Sequence, residues 1–182
     1  MCVKPHYKSF RELVDKNIEK RDDVFLQKGD EIFEMVRKGA EVFYPNFSRW
    51  FHNMNLWSIY MQKPHRDIIY AEDKNGNLLG AAATMHNEEI KRISLLYVAE
   101  HARGQGLAKG LIKECISVLG TDKPGFSLRE QNLASFDNII KRFKWEEVER
   151  GPELVIKRGP LKGLKTREVY FNQPPIDNDK TK

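Results

Sequence analysis

The chain has 182 residues, 40% hydrophobic and 31% charged, with 31 Lys and Arg against 26 Asp and Glu for a net charge of +5. That size and mixture are expected of one soluble globular domain, and no apolar run approaches the roughly 20 residues of a membrane span. The basic residues are scattered among acids, which argues against a nucleic-acid partner; the two cysteines, Cys2 and Cys115, form no disulfide framework, and together with the absence of a secretory-type start they point to a cytoplasmic protein.

Phe10, Leu13, Val14 and Ile18 recur at helical spacing, so residues 8–20 read as an amphipathic helix. Asp30 is placed to cap a second helix carrying Ile32, Phe33 and Val36 and ending at Gly39. Phe47, Trp50, Phe51, Met54 and Trp57 then share one helical face, a core stripe or one wall of an acceptor pocket. Beyond Pro64, residues 67–72 read as a strand. The Asn75-Gly76 pair is a strong hairpin signal, and residues 78–86 return antiparallel. Asn87-Glu88-Glu89 makes a second turn, and Ile90 to Val98 is a central strand. A helix over 107–119 buries Leu107, Leu111, Cys115 and Val118 and stops at Gly120; Cys115 reads as a buried thiol. A strand over 124–128, a helix over 133–143, strands over 145–150 and 154–158 and a last strand over 166–171 complete the order. No strand is expected ahead of the first helix, and residues 172–182 read as a disordered tail. This is an α+β layout around one mixed sheet.

The chemistry sits between the third strand and its helix, in Arg103-Gly104-Gln105-Gly106-Leu107-Ala108. A strand that feeds a glycine-rich turn at a helix start builds an anion site, because the N–H groups of the first helical turn point at the bound group. The spacing is not that of a P-loop, since Lys109 and Gly110 stand in the wrong order and no Ser or Thr follows; nor is it a dinucleotide fingerprint, since Lys109 stands where the third glycine belongs.

Arg103, Gly106 and Ala108 do fit Arg-x-x-Gly-x-Ala, with Val98 five residues before the arginine. This resembles the acetyl-CoA motif of the GNAT superfamily of N-acetyltransferases, and the order of elements over about 67–158 is similar too. The resemblance implies a GNAT-like mixed, mostly antiparallel sheet flanked by helices, in a single domain over 1–171 with its N-terminal helices within 8–62. It implies acetyl-CoA as cosubstrate, an amine of a protein, peptide or small molecule as acceptor, no metal, and a monomer or homodimer. The pyrophosphate of CoA would lie on the backbone of Arg103, Gly104, Gln105, Gly106, Leu107 and Ala108. The thioester carbonyl would be polarised by a backbone N–H at the bulged end of the strand, at Leu96, Tyr97 or Val98, with Val98 preferred. Asn132 corresponds to a family asparagine near the pantetheine arm, though it also suits a helix N-cap, and Phe136 packs beside CoA or in the core.

The acceptor amine has to be neutral. A lysine-like amine with a pKa of about 10.4 costs about 4–5 kcal/mol to deprotonate at pH 7. In relatives a glutamate near the acceptor strands takes the proton, so Glu89 and Glu88 are the candidate bases, ahead of His86 and Glu72; a solvated turn explains the two glutamates equally well. Many relatives also protonate the leaving thiolate with a tyrosine, but the corresponding position here is Ile140, and no tyrosine lies between Tyr97 and Tyr170. Leaving as thiolate costs only about 2 kcal/mol for a thiol of pKa near 8.5, so base-only catalysis is viable. Two other readings compete: a catalytically weak or inactive CoA-binding module, and a toxin-like aminoacyl-tRNA acetyltransferase, which would want a concentrated basic face.

Overall fold

The computed structural model describes residues 4–18, 24–44, 46–63, 65–156 and 161–173. They gather into two compact units, within residues 1–120 and 121–182.

The first unit opens with a strand that periodicity missed. β1 (His6–Ser9) pairs antiparallel with β2 (Arg66–Glu72), His6 opposite Glu72 and Ser9 opposite Ile69. Four residues carry too short an alternation to outweigh the helical spacing that begins at Phe10. Ser9 ends the strand and caps α1 (Phe10–Ile18): its Oγ accepts the Glu12 N–H at 3.1 Å and donates to Asp67 Oδ2 at 2.7 Å. Asp67 Oδ1 takes the Arg11 N–H at 3.0 Å, so two N–H groups of the first turn are satisfied. α2 (Val24–Ala40) starts six residues before Asp30, which lies exposed inside the helix and is no cap. Its stripe of Ile32, Phe33, Val36 and Ala40 is buried.

The aromatic stretch is helical from 47 to 60 but not uniform. α3 (Phe47–Trp50) and α4 (Trp57–Tyr60) flank a π-helical segment, Phe51–Leu56. The wider turn re-phases the stripe. Phe47, Phe51, Asn55, Leu56 and Ile59 are buried, whereas Met54 and Trp57, predicted on that face, are 46% and 60% exposed.

β3 (Leu78–His86) and β4 (Lys91–Val98) follow, and β2, β3 and β4 are joined antiparallel. Asp73 builds the first hairpin turn, its Oδ1 accepting the N–H groups of Asn75 and Asn77. Gly80 lies opposite Val98 and Ala83 opposite Leu95, but Thr84 lies opposite Ile93, so Ser94 is an extra residue and marks a bulge. The bulge therefore falls inside β4, ahead of its predicted place at 96–98. One sheet face, with Ile68, Tyr70, Ala81, Ala83, Leu95 and Tyr97, packs on α1, α2 and the π segment. The other receives α5 (Leu107–Leu119), whose Leu111, Ile112 and Cys115 are fully buried. Burial, with Asp67 and Glu114 nearby, pushes the Cys115 thiol far above its ordinary pKa, so it is inert. Val118 lies at the helix rim, 44% exposed, rather than in the core.

In the second unit β9 (Glu168–Phe171) pairs antiparallel with β5 (Gly125–Arg129) on one side and β6 (Glu147–Arg150) on the other. α6 (Leu133–Phe143) lies between β5 and β6 in sequence. The predicted strand over 154–158 is only β7 (Leu154–Val155), paired with β8 (Lys165–Thr166); positions 157 and 158 lie outside the described residues. Arg167 separates β8 from β9, so the predicted last strand is two short ones. Asn172, expected in a loose tail, is anchored: its N–H donates to Glu146 O and its Nδ2 to Pro124 O, both at 2.8 Å. The rest of the predicted tail, beyond residue 173, lies outside the described residues.

Candidate active site

The turn between β4 and α5 is held from below. Ala99 donates to Leu79 O at 2.9 Å, and a short 3₁₀ turn, Glu100–Ala102, carries the chain to Arg103. Gly104 and Gly106 both take positive φ, +76° and +79°. A Cβ at either would meet no protein atom within 4 Å, so backbone conformation, and not crowding, demands glycine there. Leu107 is 3% exposed and seats the helix start. The first intrahelical bond runs from Gly110 N–H to Gly106 O, 3.2 Å, so the N–H groups of Leu107 and Ala108 face out of the helix end. This is the geometry of an anion seat, with the helix dipole favouring negative charge. Arg103 folds back on the strand, its Nε donating to Val98 O at 3.2 Å.

The ladder sorts the three carbonyl-polarising candidates. Ala99 gives its N–H to β3, and hydrogen-bonded pairs alternate along an antiparallel ladder. Tyr97, opposite Ala81, therefore spends its N–H on β3 as well. Leu96 and Val98, opposite Ala82 and Gly80, direct theirs to the other side of β4. Tyr97 is thereby corrected as a donor: its ring packs instead over α2, where a Cβ on Gly39 would come within 2.5 Å of it. Gly80 lets β4 lie this close, since a Cβ there would sit 2.7 Å from Tyr97 O and 3.2 Å from Leu111.

The candidate bases lie at the opposite end of β4. Glu88 and Glu89 are exposed in a turn closed by Asn87, whose Oδ1 accepts the N–H groups of Glu89 and Ile90. Lys91 and Val98 are the two ends of the strand, on the order of 20 Å apart at about 3.3 Å per residue. A base acts within hydrogen-bond reach or through one water. Glu88 and Glu89 therefore cannot take a proton directly at a centre seated on Val98; short sequence separation concealed a long extended one. His86, opposite Lys91, shares that remote end. Its imidazolium is disfavoured by burial and by the charges of His65, Arg11 and Lys91, and its Nδ1 is buried without a partner among the described residues. Glu72 is occupied otherwise: Lys8 at 2.5 Å and Lys28 at 3.0 Å hold it. Burial alone would raise its pKa, but the two lysines bring it below the ordinary carboxylate value.

In the second unit Asn132 occupies the N-cap position of α6 without a side-chain capping bond. Phe136 packs on Phe126, ring centres 5.7 Å apart, in a cluster with Trp145 and Phe143. Ile140, at the expected tyrosine position, is half-buried. Among the described residues no three His, Cys, Asp or Glu side chains group as metal ligands do, and no helix is long and apolar enough to cross a membrane.

The family model described as "Acetyltransferase (GNAT) domain" matches residues 33–144, more than half of the chain, including β4, the glycine turn and α5. The chain belongs to the GNAT acetyltransferase family. Its fold is the family's mixed, mostly antiparallel sheet flanked by helices, as the motif and element order implied. A GNAT-family protein from Desulfovibrio desulfuricans is similar in structure, with a TM-score of 0.62 at 12% identity over 92% of this chain and 97% of that one. The ribosomal-protein-S18-alanine N-acetyltransferase of Escherichia coli gives 0.61 at 11%, over 96% and 98%. A single-site mutant of the spermidine N-acetyltransferase of Vibrio cholerae gives 0.55 at 13%, over 92% and 94%. No curated protein sequence matches this one. GNAT neighbours with such different amine acceptors share the fold with this chain and do not specify its acceptor.

Sequence reasoning overlooked a polar group in the same unit: Asn55, fully buried in the π segment, beside Arg66. An asparagine inside an aromatic stripe is the one signal that could have found it.

Proposed function

We propose that this GNAT protein is a cytoplasmic N-acetyltransferase whose catalytic domain spans residues 1–171 and which moves an acetyl group from acetyl-CoA to an amine. The observation that carries this reading is the pairing of the Gly104–Gly106 turn with the outward N–H groups of Leu96 and Val98 on the strand that feeds it. The turn seats the pyrophosphate on the N–H groups at the start of α5. One strand N–H, Val98 or its twin Leu96, then accepts the charge that develops on the thioester oxygen as the amine attacks and the tetrahedral intermediate forms. Expulsion of the CoA thiolate completes transfer without a protein acid, in keeping with Ile140. With the carbonyl on β4, the amine loses its proton to water rather than to Glu88 or Glu89.

Thiol release from acetyl-CoA over a panel of amines, peptides and charged tRNA tests the reading; turnover on at least one amine is expected, and acetyl-CoA binding without turnover on any would contradict it. Joint Glu88→Gln and Glu89→Gln substitution is expected to leave kcat at neutral pH within about twofold, because both carboxylates lie beyond direct proton-transfer reach; a large fall would restore them as bases. The remote carboxylates and Ile140 also favour a second reading, a CoA-binding module with weak catalysis, which the same assay separates.

A further inference from the structure

β1 is an edge strand, and the ladder shows which of its backbone groups are spent. Ala99 donates to Leu79 O, and His86, at the other end of β3, donates to His65 O, so the alternation of hydrogen-bonded pairs is fixed on both sides of β3. Carried across to β1, it gives His6 and Lys8 their bonds to β2, opposite Glu72 and Tyr70. Tyr7 and Ser9 therefore turn their N–H groups away from the sheet. The Tyr7 C=O goes with them, whereas the Ser9 C=O accepts the first intrahelical bond of α1, which starts at Phe10. Such an edge invites another strand, and natural proteins blunt it with lysine or proline. Here Lys8 is drawn back to Glu72, and Pro5 stands just ahead of the strand.

The edge is held firmly and has room beside it. The Tyr7 side chain reaches Gly110 of α5, where a Cβ would sit 1.8 Å from its hydroxyl oxygen. A glycine inside a helix costs about 1 kcal/mol relative to alanine, and this one makes the seat for Tyr7. A cavity of about 350 Å³ flanks the strand, with Glu12, Leu13 and Lys16 of α1 and Glu114 and Val118 of α5 in its lining. Its walls carry both signs of charge and, with Val118 44% exposed, an apolar rim, as a surface that meets its own copy needs. Three antiparallel registers bring the outward groups of two β1 strands face to face. Centred on Lys8, the pairing sets Lys8 against the partner's Lys8 and asks the occupied Ser9 C=O to accept again. Centred on His6, it sets Tyr7 against the partner's Pro5, which has no N–H for the Tyr7 C=O. Centred on Tyr7, the two Tyr7 residues exchange both their bonds, and each Ser9 N–H meets the partner's Pro5 C=O. The one slot left over joins a proline without an N–H to a carbonyl already in use, so every outward group is met. This register also places His6, and not a second lysine, opposite the partner's Lys8.

We propose that β1 pairs antiparallel with β1 of a second copy, centred on Tyr7, so that the protein is a homodimer whose sheet continues across the two-fold axis. β1 lies three strands from β4, about 14 Å at about 4.8 Å per strand, so the pairing leaves the outward N–H groups of Leu96 and Val98 open. Sedimentation velocity on the full chain tests the association, and a dimer is expected. His6 is exposed and stands opposite the partner's Lys8 twice in each dimer, so His6→Lys is expected to weaken association about fivefold while the far-UV circular dichroism stays the same. Disulfide trapping tests the register. Facing residues of a non-hydrogen-bonded pair have Cα atoms about 4.5 Å apart, which a disulfide spans. In a Cys2→Ser background, an oxidised mixture of His6→Cys and Lys8→Cys proteins is expected to form the mixed cross-link, and neither protein alone to form its own. A monomer at every concentration up to about 1 mM would overturn the proposal, as would a dimer that His6→Lys does not weaken or that the mixture fails to trap. Cross-linking of Lys8→Cys alone would overturn it too, because the strands would then be centred on Lys8.

Discussion

The two ends of β4 are built on opposite principles. At its C-terminal end the machinery is backbone: two positive-φ glycines, a helix start and strand N–H groups whose direction follows from ladder register. At its N-terminal end it is side chains from distant segments, Asn55, Arg66 and Arg92, brought together by strand pairing and a π turn. The first end suits a ligand that every family member shares, because backbone donors survive sequence change. The second closes over itself, with Asn55 and Arg92 buried. The Ser94 bulge falls between the two ends.

The comparison breaks most severely with Gly106→Glu. A carboxylate at the anion seat, in a conformation side chains resist, is expected to weaken acetyl-CoA binding by about 100-fold or more through like-charge repulsion. Calorimetry checks it. Gly80→Ala drives a Cβ against Tyr97 O and is expected to cost about 1–3 kcal/mol of stability, read as a lower urea midpoint. Arg103→Ala removes the bond to Val98 O that holds the turn; about fivefold weaker acetyl-CoA binding is expected, with a urea midpoint lowered by no more than one hydrogen bond of about 1 kcal/mol accounts for. The smallest effect is a pH dependence at the N-terminal end. His86 has a folded pKa below its unfolded value, so the unfolded chain binds more protons as pH falls through about 6.5. Stability is full above that pH and declines below it, until the folded pKa is reached. Melting temperatures between about pH 7.5 and 5.5 should fall less in His86→Gln than in the wild type.

How much of this was legible in the residues follows the same division. Arg103 to Ala108 announces itself, because glycine spacing encodes φ and a local turn needs no distant partner. β2, β3, β4 and α5 were legible for the same reason, through alternation, an Asn-Gly turn and a glycine stop. β1 was not, since its pairing with β2 spans some sixty residues and four residues carry little pattern. The π segment shifted the inward face from Met54 and Trp57 to Asn55 and Leu56, which no 3.6-residue period anticipates. Glu88 and Glu89 are near Val98 in number, but the eight extended residues of β4 carry the chain away from them to it. Arg66 and Arg92 are ordinary arginines until register sets them on either side of Met85.

The most direct measurement is an acetyl-CoA titration of the ¹⁵N-labelled protein followed by amide shifts. The account predicts the largest changes at Leu107, Ala108, Leu96 and Val98, with Tyr97 and residues 86–92 little affected. Large shifts at Asn55, Arg66 and Arg92 with none at Leu107 and Ala108 would contradict it, because the donor would then bind away from the glycine turn.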